Sequence, residues 1–367
     1  MQIAIVGLAS SGKTTVFNTL TRGHAETGGY GGLVVNVGVV KVPDDRLTRL
    51  TELFQPKREV QADVTYVDLP APPAAGEGHE GANELPADQL ARLRNADALL
   101  HVVRAFGDPA VPHPDGSVDA WRDLERLDLE FTVADHAVAE RRLERLQATG
   151  RHGTPAEREA NEHEQAVLET VVPALAAGRP IRDLGLDADA LRRLRGFRFL
   201  TEKPVLVLLN IGEDDLPRAE ELTAAVRARY DHRDSLVDAL SARIEMEIGE
   251  LDEEAASAFR ADLGLSEASL ERVIRLSYRL LGLISFFTAG PDETRAWTVP
   301  DGATALDAAA AIHSDLARGF IRAEVVACED LLELRSLAEA RKHGRLRAEG
   351  KTYRVRDGDV IEILFNV

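Results

Sequence analysis

The chain has 367 residues, which predicts two or three domains with enough material for a buried core. Its formal net charge of −18 argues against a general nucleic-acid coat, since a phosphate backbone would be repelled on average, but leaves room for a local basic patch. The single cysteine, Cys328, excludes an intramolecular disulfide and a cysteine-based zinc site.

Short apolar runs that alternate with helical patterns predict a parallel α/β sheet. The runs lie at residues 1–6, 64–67, 99–103 and 205–209, and each is followed by polar or turn residues. We assign residues 1–123 and 201–283 to this α/β domain. The N-terminus lacks a signal-like leader, and no apolar run approaches the roughly 20 residues that span a membrane, so we expect a cytoplasmic protein without a membrane partner.

A second region, residues 124–200, is rich in Glu, Arg, Ala and Leu and poor in strand formers. Its first part has a heptad seam with spacings of three and four: Leu124, Leu127, Phe131, Ala134, Val138. Turn-forming residues at 148–155 interrupt it, and a second helical face follows with Leu168, Val171 and Leu175. The pattern predicts an inserted, antiparallel α-helical hairpin. It serves either for packing or as an arm that contacts a partner.

The third region, residues 284–367, predicts a small α+β domain that ends in two alternating runs joined by D-G, a strong turn signal. Basic residues crowd residues 341–356, which we call the basic segment. They are Arg341, Lys342, Arg345, Arg347, Lys351, Arg354 and Arg356. The segment either contacts RNA or the ribosome or is a solvated face.

Residues 7–14 read G-L-A-S-S-G-K-T and match the phosphate-binding loop G-x-x-x-x-G-K-[ST] at every fixed position. In such a loop the backbone N–H groups cradle phosphate oxygens, Lys13 reaches the β- and γ-phosphates, and the Thr14 hydroxyl binds Mg²⁺. Asp68, at the end of a neighbouring strand, is the second candidate Mg²⁺ ligand. The residues predicted to contact the phosphates are Gly7, Ala9, Ser10, Ser11, Gly12, Lys13, Thr14 and Thr15.

The strand at 205–209 leads into N-I-G-E, where a guanine-binding protein of this class would have N-K-x-D. Guanine is normally recognised by an Asp carboxylate that accepts hydrogen bonds from its N1–H and 2-amino groups. Glu213 is one methylene longer than that Asp, and Ile211 replaces a lysine whose stem packs along the base. We therefore expect Asn210, Ile211 and Glu213 to form a purine site that binds ATP better than GTP.

The sequence resembles the YchF-type Obg-like ATPases, a branch of the P-loop GTPase class, over nearly its whole length. The resemblance rests on N-V-G-V-V-K-V-P-D-D-R-L at 36–47, H-V-V-R at 101–104, the segment 203–213 and the C-terminal blocks at 286–300, 319–325 and 357–367. It implies ATP binding, a ubiquitin-like TGS (β-grasp) domain, the helical insertion and ribosome association. It also implies that Ser241 and Ala242 form the S-A loop that closes over the base.

Two family features are altered. Gly32 stands where the first switch has a Mg²⁺-binding threonine. Ala71 replaces the glycine of the second switch whose backbone N–H meets the γ-phosphate, and the next residue, Pro72, has no N–H at all. The resemblance implies that His113 positions the attacking water; the alternative is an exposed loop residue between two prolines. We thus expect an Mg²⁺-dependent ATP-binding protein with weak ATPase activity. An adaptor without significant hydrolysis is the alternative, and a GTP-binding switch is disfavoured.

Overall fold

The structure, a computed structural model, describes residues 1–23, 35–69, 85–149, 154–265 and 269–366. Gly32, Ala71 and Pro72, the altered switch positions, lie outside the described residues. The described strands are β1 (Gln2–Val6), β2 (Asn36–Lys41), β3 (Arg58–Val60), β4 (Asp63–Asp68), β5 (Ala98–Ala105), β6 (Val205–Ile211), β7 (Ser235–Leu240), β8 (Leu283–Ala289), β9 (Glu293–Pro300), β10 (Phe320–Ala327), β11 (Arg347–Glu349) and β12 (Asp359–Phe365).

The described helices begin with α1 (Lys13–Thr21), α2 (Asp45–Phe54), α3 (Ala87–Leu93), α4 (Ala120–Thr149), α5 (Pro155–Ala176), α6 (Ala188–Leu194) and α7 (Ala219–Arg227). They continue with α8 (Ala242–Gly249), α9 (Glu253–Asp262), α10 (Ser269–Leu280), α11 (Ala305–Ile312), α12 (Ser314–Arg318), α13 (Cys328–Leu334) and α14 (Leu337–Lys342). Two 3₁₀ turns add Ile181–Leu184 and Glu213–Arg218. Within the described ranges, none of these helices could cross a bilayer.

The chain divides into two compact units. Unit 1 comprises Met1–Gly38 and Thr65–Val273, and unit 2 comprises Val39–Val64 and Ile274–Val367. The sequence did not indicate that residues 39–64 group with the C-terminal region. The domain boundaries given above stay a prediction.

The first sheet has the strand order β2-β4-β1-β5-β6-β7. The pairs β1 with β4, β1 with β5, β5 with β6 and β6 with β7 are all parallel, which confirms the predicted α/β class with a mostly parallel sheet. The register sets Ile5 opposite Asp68 and Asn210 opposite Leu240. Because parallel strands end at one edge, the carboxyl ends of β1, β4, β6 and β7 lie at the same edge, where such folds bind ligands.

The two long helices α4 and α5 form the inserted helical pair, and α4 has two different partners along its length. Its first half carries Leu124, Leu127 and Phe131 into the core of the sheet. Its second half carries Ala139 and Leu146 into a separate core. The predicted heptad seam therefore does not face α5 throughout, because its first three residues pack on strands. The predicted face of α5 is confirmed: Leu168, Val171 and Leu175 are buried in that second core.

A buried carboxylate fixes α4 near its middle. Asp135 is fully buried and lies 2.8 Å from the Arg94 guanidinium. Its Oδ2 also accepts hydrogen bonds from the backbone N–H and the hydroxyl of Thr201, at 2.8 and 2.9 Å. A buried charge with this many partners resists displacement, because moving the helix would leave the carboxylate unpaired.

Unit 2 contains the second sheet, in the order β11-β10-β12-β8-β9-β3. The β8–β9 hairpin is antiparallel, β12 runs parallel to β8, and β10 is antiparallel to β12. The alanine-rich helix α11 packs on this sheet through Ala305, Ala308 and Ala309, whose small side chains allow a close approach. This is the strand order of a β-grasp fold, and the TGS assignment within it stays a prediction.

One strand and one arginine are among the features that join residues 39–64 to the rest of unit 2. Strand β3 runs parallel to β9. Arg46 pairs with Asp44 at 2.8 Å and with Asp357 at 2.7 Å, and its guanidinium lies 5.3 Å from the Phe287 ring centroid. Asp44 also caps α2 by accepting from the Arg46 N–H. The D-D-R part of the signature at 36–47 therefore has a structural role within unit 2.

Candidate nucleotide-binding site

The phosphate loop between β1 and α1 has a conformation that requires its glycines. Gly7 and Gly12 have φ of 152° and 91°, in the region that residues with a Cβ rarely adopt. A Cβ on Gly7 would overlap the carbonyl oxygen of Val102, and one on Gly12 would overlap the amide of Asn210. Ser10 also has a positive φ, of 60°. The loop thus turns tightly over β5 and β6 and leads directly into α1. The N-terminus of a helix is a favourable place for an anion such as phosphate.

Lys13 is folded back onto this loop. Its Nζ donates to the carbonyl oxygens of Gly7 and Leu8, both at 2.8 Å, and the residue is buried. Burial lowers the pKa of Lys13 to about 8, and the charge of Asp68 offsets part of that shift. A phosphate in the loop would therefore stabilise an ammonium that the free protein solvates poorly.

Asp68 and Thr14 meet as predicted for a Mg²⁺ site. The Thr14 hydroxyl donates to Asp68 Oδ2 at 3.1 Å, and the Asn36 amide lies 3.4 Å from the same oxygen. Burial raises the pKa of Asp68, and its Oδ1 has no hydrogen-bond partner within the described ranges. An unsatisfied buried carboxylate oxygen beside a hydroxyl fits Mg²⁺, which takes one or two protein oxygens and completes its shell with phosphate and water.

Clusters of three or more acidic, His or Cys side chains able to hold a metal are absent from the part of the chain that the structure describes. Thr14 and Asp68 would hold Mg²⁺ only together with a bound phosphate.

Asn210 links the phosphate loop to the predicted S-A loop. Its Nδ2 donates to the Ser11 carbonyl at 3.0 Å, and its Oδ1 accepts from the Ala242 N–H at 3.1 Å. Ser241 and Ala242 are buried, and α8 begins at Ala242. The two predicted parts of the purine site are thus joined by one side chain.

The residues that replace the lysine and aspartate of a guanine site point to different environments. Ile211 is buried in the core of unit 1, so its side chain contributes to packing. Glu213 is exposed at the start of a 3₁₀ turn. A core isoleucine removes the polar lysine stem from the loop, while the Glu213 carboxylate stays accessible.

His113 is not an exposed loop residue. Its side chain is only 4% exposed, and Nε2 lies 2.8 Å from Asp123 Oδ2. Nδ1 accepts from the Asp115 N–H at 3.1 Å. Both ring nitrogens are engaged in this conformation, so His113 could meet a water only after releasing one partner.

Sequence reasoning missed three residues around this site: Arg104, Phe106 and Asp123. Arg104 is buried, donates to the carbonyl oxygens of Phe106 and Val111, and stacks on the Phe106 ring at 4.6 Å. Asp123 and Arg104 line a narrow cleft together with Leu8, Ala9 and Ser11 of the phosphate loop. Arg104, within H-V-V-R, was available as a signal, whereas nothing in the local sequence marks Asp123.

The basic segment in unit 2 is largely neutralised. Arg341 pairs with Glu324 at 2.5 Å, Arg345 lies 3.8 Å from Asp330, and Lys342 lies 3.5 Å from Glu339. Arg347 pairs with Glu349 and contacts Tyr353, and Arg354 donates to the Gly302 carbonyl. Lys351 and Arg356 make no ion pair with any described residue.

A phosphate loop at the carboxyl edge of a mostly parallel sheet, with Asp68 beside it and Asn210 clamping it, defines a P-loop NTPase of the GTPase class. Family models agree: one described as "50S ribosome-binding GTPase" matches residues 2–134. The model of the YchF GTPase C-terminal region, described as "Protein of unknown function (DUF933)", matches residues 283–366.

Proteins that resemble this chain over its whole length show which family of the GTPase class it belongs to. The chain is 40% identical to a Haemophilus ducreyi protein named "Ribosome-binding ATPase YchF", covering 99% of this chain and 98% of the relative. A Bacillus subtilis protein of the same name is 39% identical with the same coverage. The solved structure of the Schizosaccharomyces pombe YchF GTPase superposes with a TM-score of 0.85 at 29% identity, covering 99% of this chain and 97% of that one. The chain belongs to the YchF family.

Proposed function

We propose that this chain binds Mg²⁺–ATP in its phosphate loop, hydrolyses it slowly and acts on or near the ribosome. The observation that carries the proposal is the assembly of Lys13, Thr14 and Asp68 around a loop whose backbone is already turned for phosphate. Lys13 would bind the β- and γ-phosphates, while Thr14 and Asp68 would hold Mg²⁺, which neutralises the charge developing on the phosphates.

ATP is the preferred nucleotide in this proposal. Ile211 is taken up in the core, and Glu213 is too long to occupy the position of the usual aspartate. The N1–H and 2-amino donors of guanine would then be buried without acceptors, which costs a few kcal/mol. The two relatives described above are both named ATPases, which supports the same preference.

Ribosome association rests on those names and on the description of the family model for residues 2–134. Of the seven cations of the basic segment, five already pair with carboxylates or bond to backbone. Lys351 and Arg356 form no ion pair with a described residue, so within this segment they are the candidates to contact phosphate. The helical pair α4–α5 is a second candidate contact. A protein that acts there would work in the cytoplasm, as expected from the sequence.

A nucleotide-dependent adaptor without significant hydrolysis is the competing proposal, and the engagement of both His113 nitrogens favours it. The ATPase and the adaptor proposals are distinguished by measuring ATP turnover of the purified wild type, of Lys13→Ala and of Lys57→Ala. Lys57→Ala is the matched control, because that lysine is 82% exposed. Slow turnover lost only in Lys13→Ala supports the ATPase. Tight binding without turnover supports the adaptor, and GTP binding tighter than ATP would overturn the nucleotide assignment.

A further inference from the structure

The loop that carries His113 is attached to the first turn of the long helix α4. His113 Nε2 lies 2.8 Å from Asp123 Oδ2, and both side chains are only 4% exposed. The other carboxylate oxygen of Asp123 accepts from Arg122 Nε and Nη2, at 3.0 and 2.8 Å. The buried carboxylate of Asp123 is therefore bonded both to its helix neighbour Arg122 and to the imidazole of His113.

These contacts define the tautomer of the ring. With Asp123 ionised, Oδ2 can only accept, so Nε2 must carry the proton. Nδ1 accepts from the Asp115 N–H at 3.1 Å, so Nδ1 must carry the lone pair. The two requirements agree on a single neutral form, and the carboxylate that imposes it also fixes the ring's orientation.

We propose that Asp123 is a positioning residue for His113, which it holds as the Nε2–H tautomer so that the Nδ1 lone pair receives the attacking water. The inference rests on the proposed ATPase function. Asp123 lines the same cleft as Leu8, Ala9 and Ser11 of the phosphate loop, and His113 contacts Asp123 at 2.8 Å. The Asp115 N–H is the partner to be exchanged for water, since that bond joins neighbours two residues apart on the same loop.

The step balances without further reactants. The water oxygen forms a bond to the γ-phosphorus while the bond from that phosphorus to the β–γ bridging oxygen breaks, and ADP leaves with the electron pair. One water proton passes to Nδ1, where the Asp123 carboxylate stabilises the imidazolium. The ring then returns the proton to the phosphate product, which restores the neutral tautomer.

The test uses Asp123→Asn, which keeps the size of the side chain, with Glu125→Gln as a control at an exposed carboxylate on the same helix. Asp123→Asn should lower kcat by about tenfold to a hundredfold, with KM for ATP within about twofold, because general acid–base groups act mainly in the transition state. Glu125→Gln should match the wild type. The double variant His113→Gln with Asp123→Asn should be no slower than His113→Gln alone.

A second readout does not need activity. The ¹⁵N spectrum of His113, assigned by its loss in His113→Gln, should show a protonated Nε2 and an unprotonated Nδ1 in the wild type and a mixed state in Asp123→Asn. A wild-type ring with its proton on Nδ1, or an unchanged kcat in Asp123→Asn where His113→Gln is slow, would overturn the inference alone. A wild-type rate in His113→Gln, or no ATP turnover at all, would overturn the catalytic role of His113 and this inference with it.

Discussion

Lys13 in the phosphate loop and the basic segment of unit 2 carry positive charge in opposite ways. Lys13 is one buried ammonium whose hydrogen bonds within the described ranges go to two carbonyl oxygens, and it lies near one carboxylate, Asp68. The basic segment has seven cations, most of which already pair with carboxylates or bond to backbone and Tyr353. The difference teaches that the availability of a charge, rather than the number of charges, should decide where phosphate binds.

The largest expected effect comes from Lys13. Lys13→Ala should weaken ATP binding on the order of 100-fold to 1000-fold, because it removes charge-assisted hydrogen bonds to two phosphates. Isothermal titration calorimetry with Mg²⁺–ATP measures this directly, with Lys57→Ala as the control. If Lys13→Ala binds ATP as tightly as the wild type, the phosphates do not depend on this ammonium and the comparison is wrong.

The pH dependence of ATP affinity sharpens the same point. Burial lowers the pKa of Lys13 to about 8 in the free protein, and bound phosphate should raise it again. Below pH 8 the lysine is protonated in both states, so affinity is level. Above pH 8 binding must take up a proton, and affinity should fall by up to about tenfold per pH unit.

Calorimetry in buffers of different ionisation enthalpy would detect that proton uptake at pH 9 and none at pH 7. Lys13→Ala should bind weakly but without this dependence. Affinity that stays level from pH 7 to pH 10 in the wild type would mean that Lys13 is not the titrating group.

In unit 2, the comparison predicts unequal effects for equal changes of charge. Lys351→Gln with Arg356→Gln should weaken ribosome co-sedimentation several-fold and reduce its salt dependence, because unpaired cations release counterions on binding phosphate. Arg341→Gln with Arg345→Gln removes the same formal charge from paired residues and should have little effect. Equal losses in both double variants, measured at low and high salt, would show that total charge decides.

Paired arginines should matter for stability instead. Arg46→Gln should lower the free energy of unfolding by about 1–2 kcal/mol, because it leaves Asp44 and Asp357 without their shared partner on a side chain about one-third exposed. Lys57→Gln breaks an ion pair that is 82% exposed on both sides and should leave the melting temperature unchanged. Thermal denaturation followed by circular dichroism compares the two, and equal melting temperatures for both variants would contradict the distinction.

Sequence alone predicted those parts of the site that depend on local spacing. The run 7–14 and the polar ends of strands at Asp68 and Asn210 follow directly from pattern, and the register of the sheet brings them together. The grouping of residues 39–64 with unit 2 could not be predicted, because β3 pairs with β9 some 235 residues away. The heptad seam at 124–138 correctly predicted an apolar helix face, but its first part packs on the sheet and not on the second helix of the pair. Periodicity identifies an apolar face and does not say what covers it. Asp123 was missed because no local pattern marks it and its role depends on the contact with His113.

The helix α4 connects two distant parts of unit 1. Its 30 residues span about 45 Å, at 1.5 Å of rise per residue. Asp135, which contacts Arg94 and Thr201, lies near the midpoint of the helix. The first half begins near Asp123, which contacts the imidazole of His113, and the second half packs along α5 and ends at residue 149. A partner that binds the second half of α4 would therefore be connected to Asp123 and His113 by one continuous helix, far from the nucleotide site.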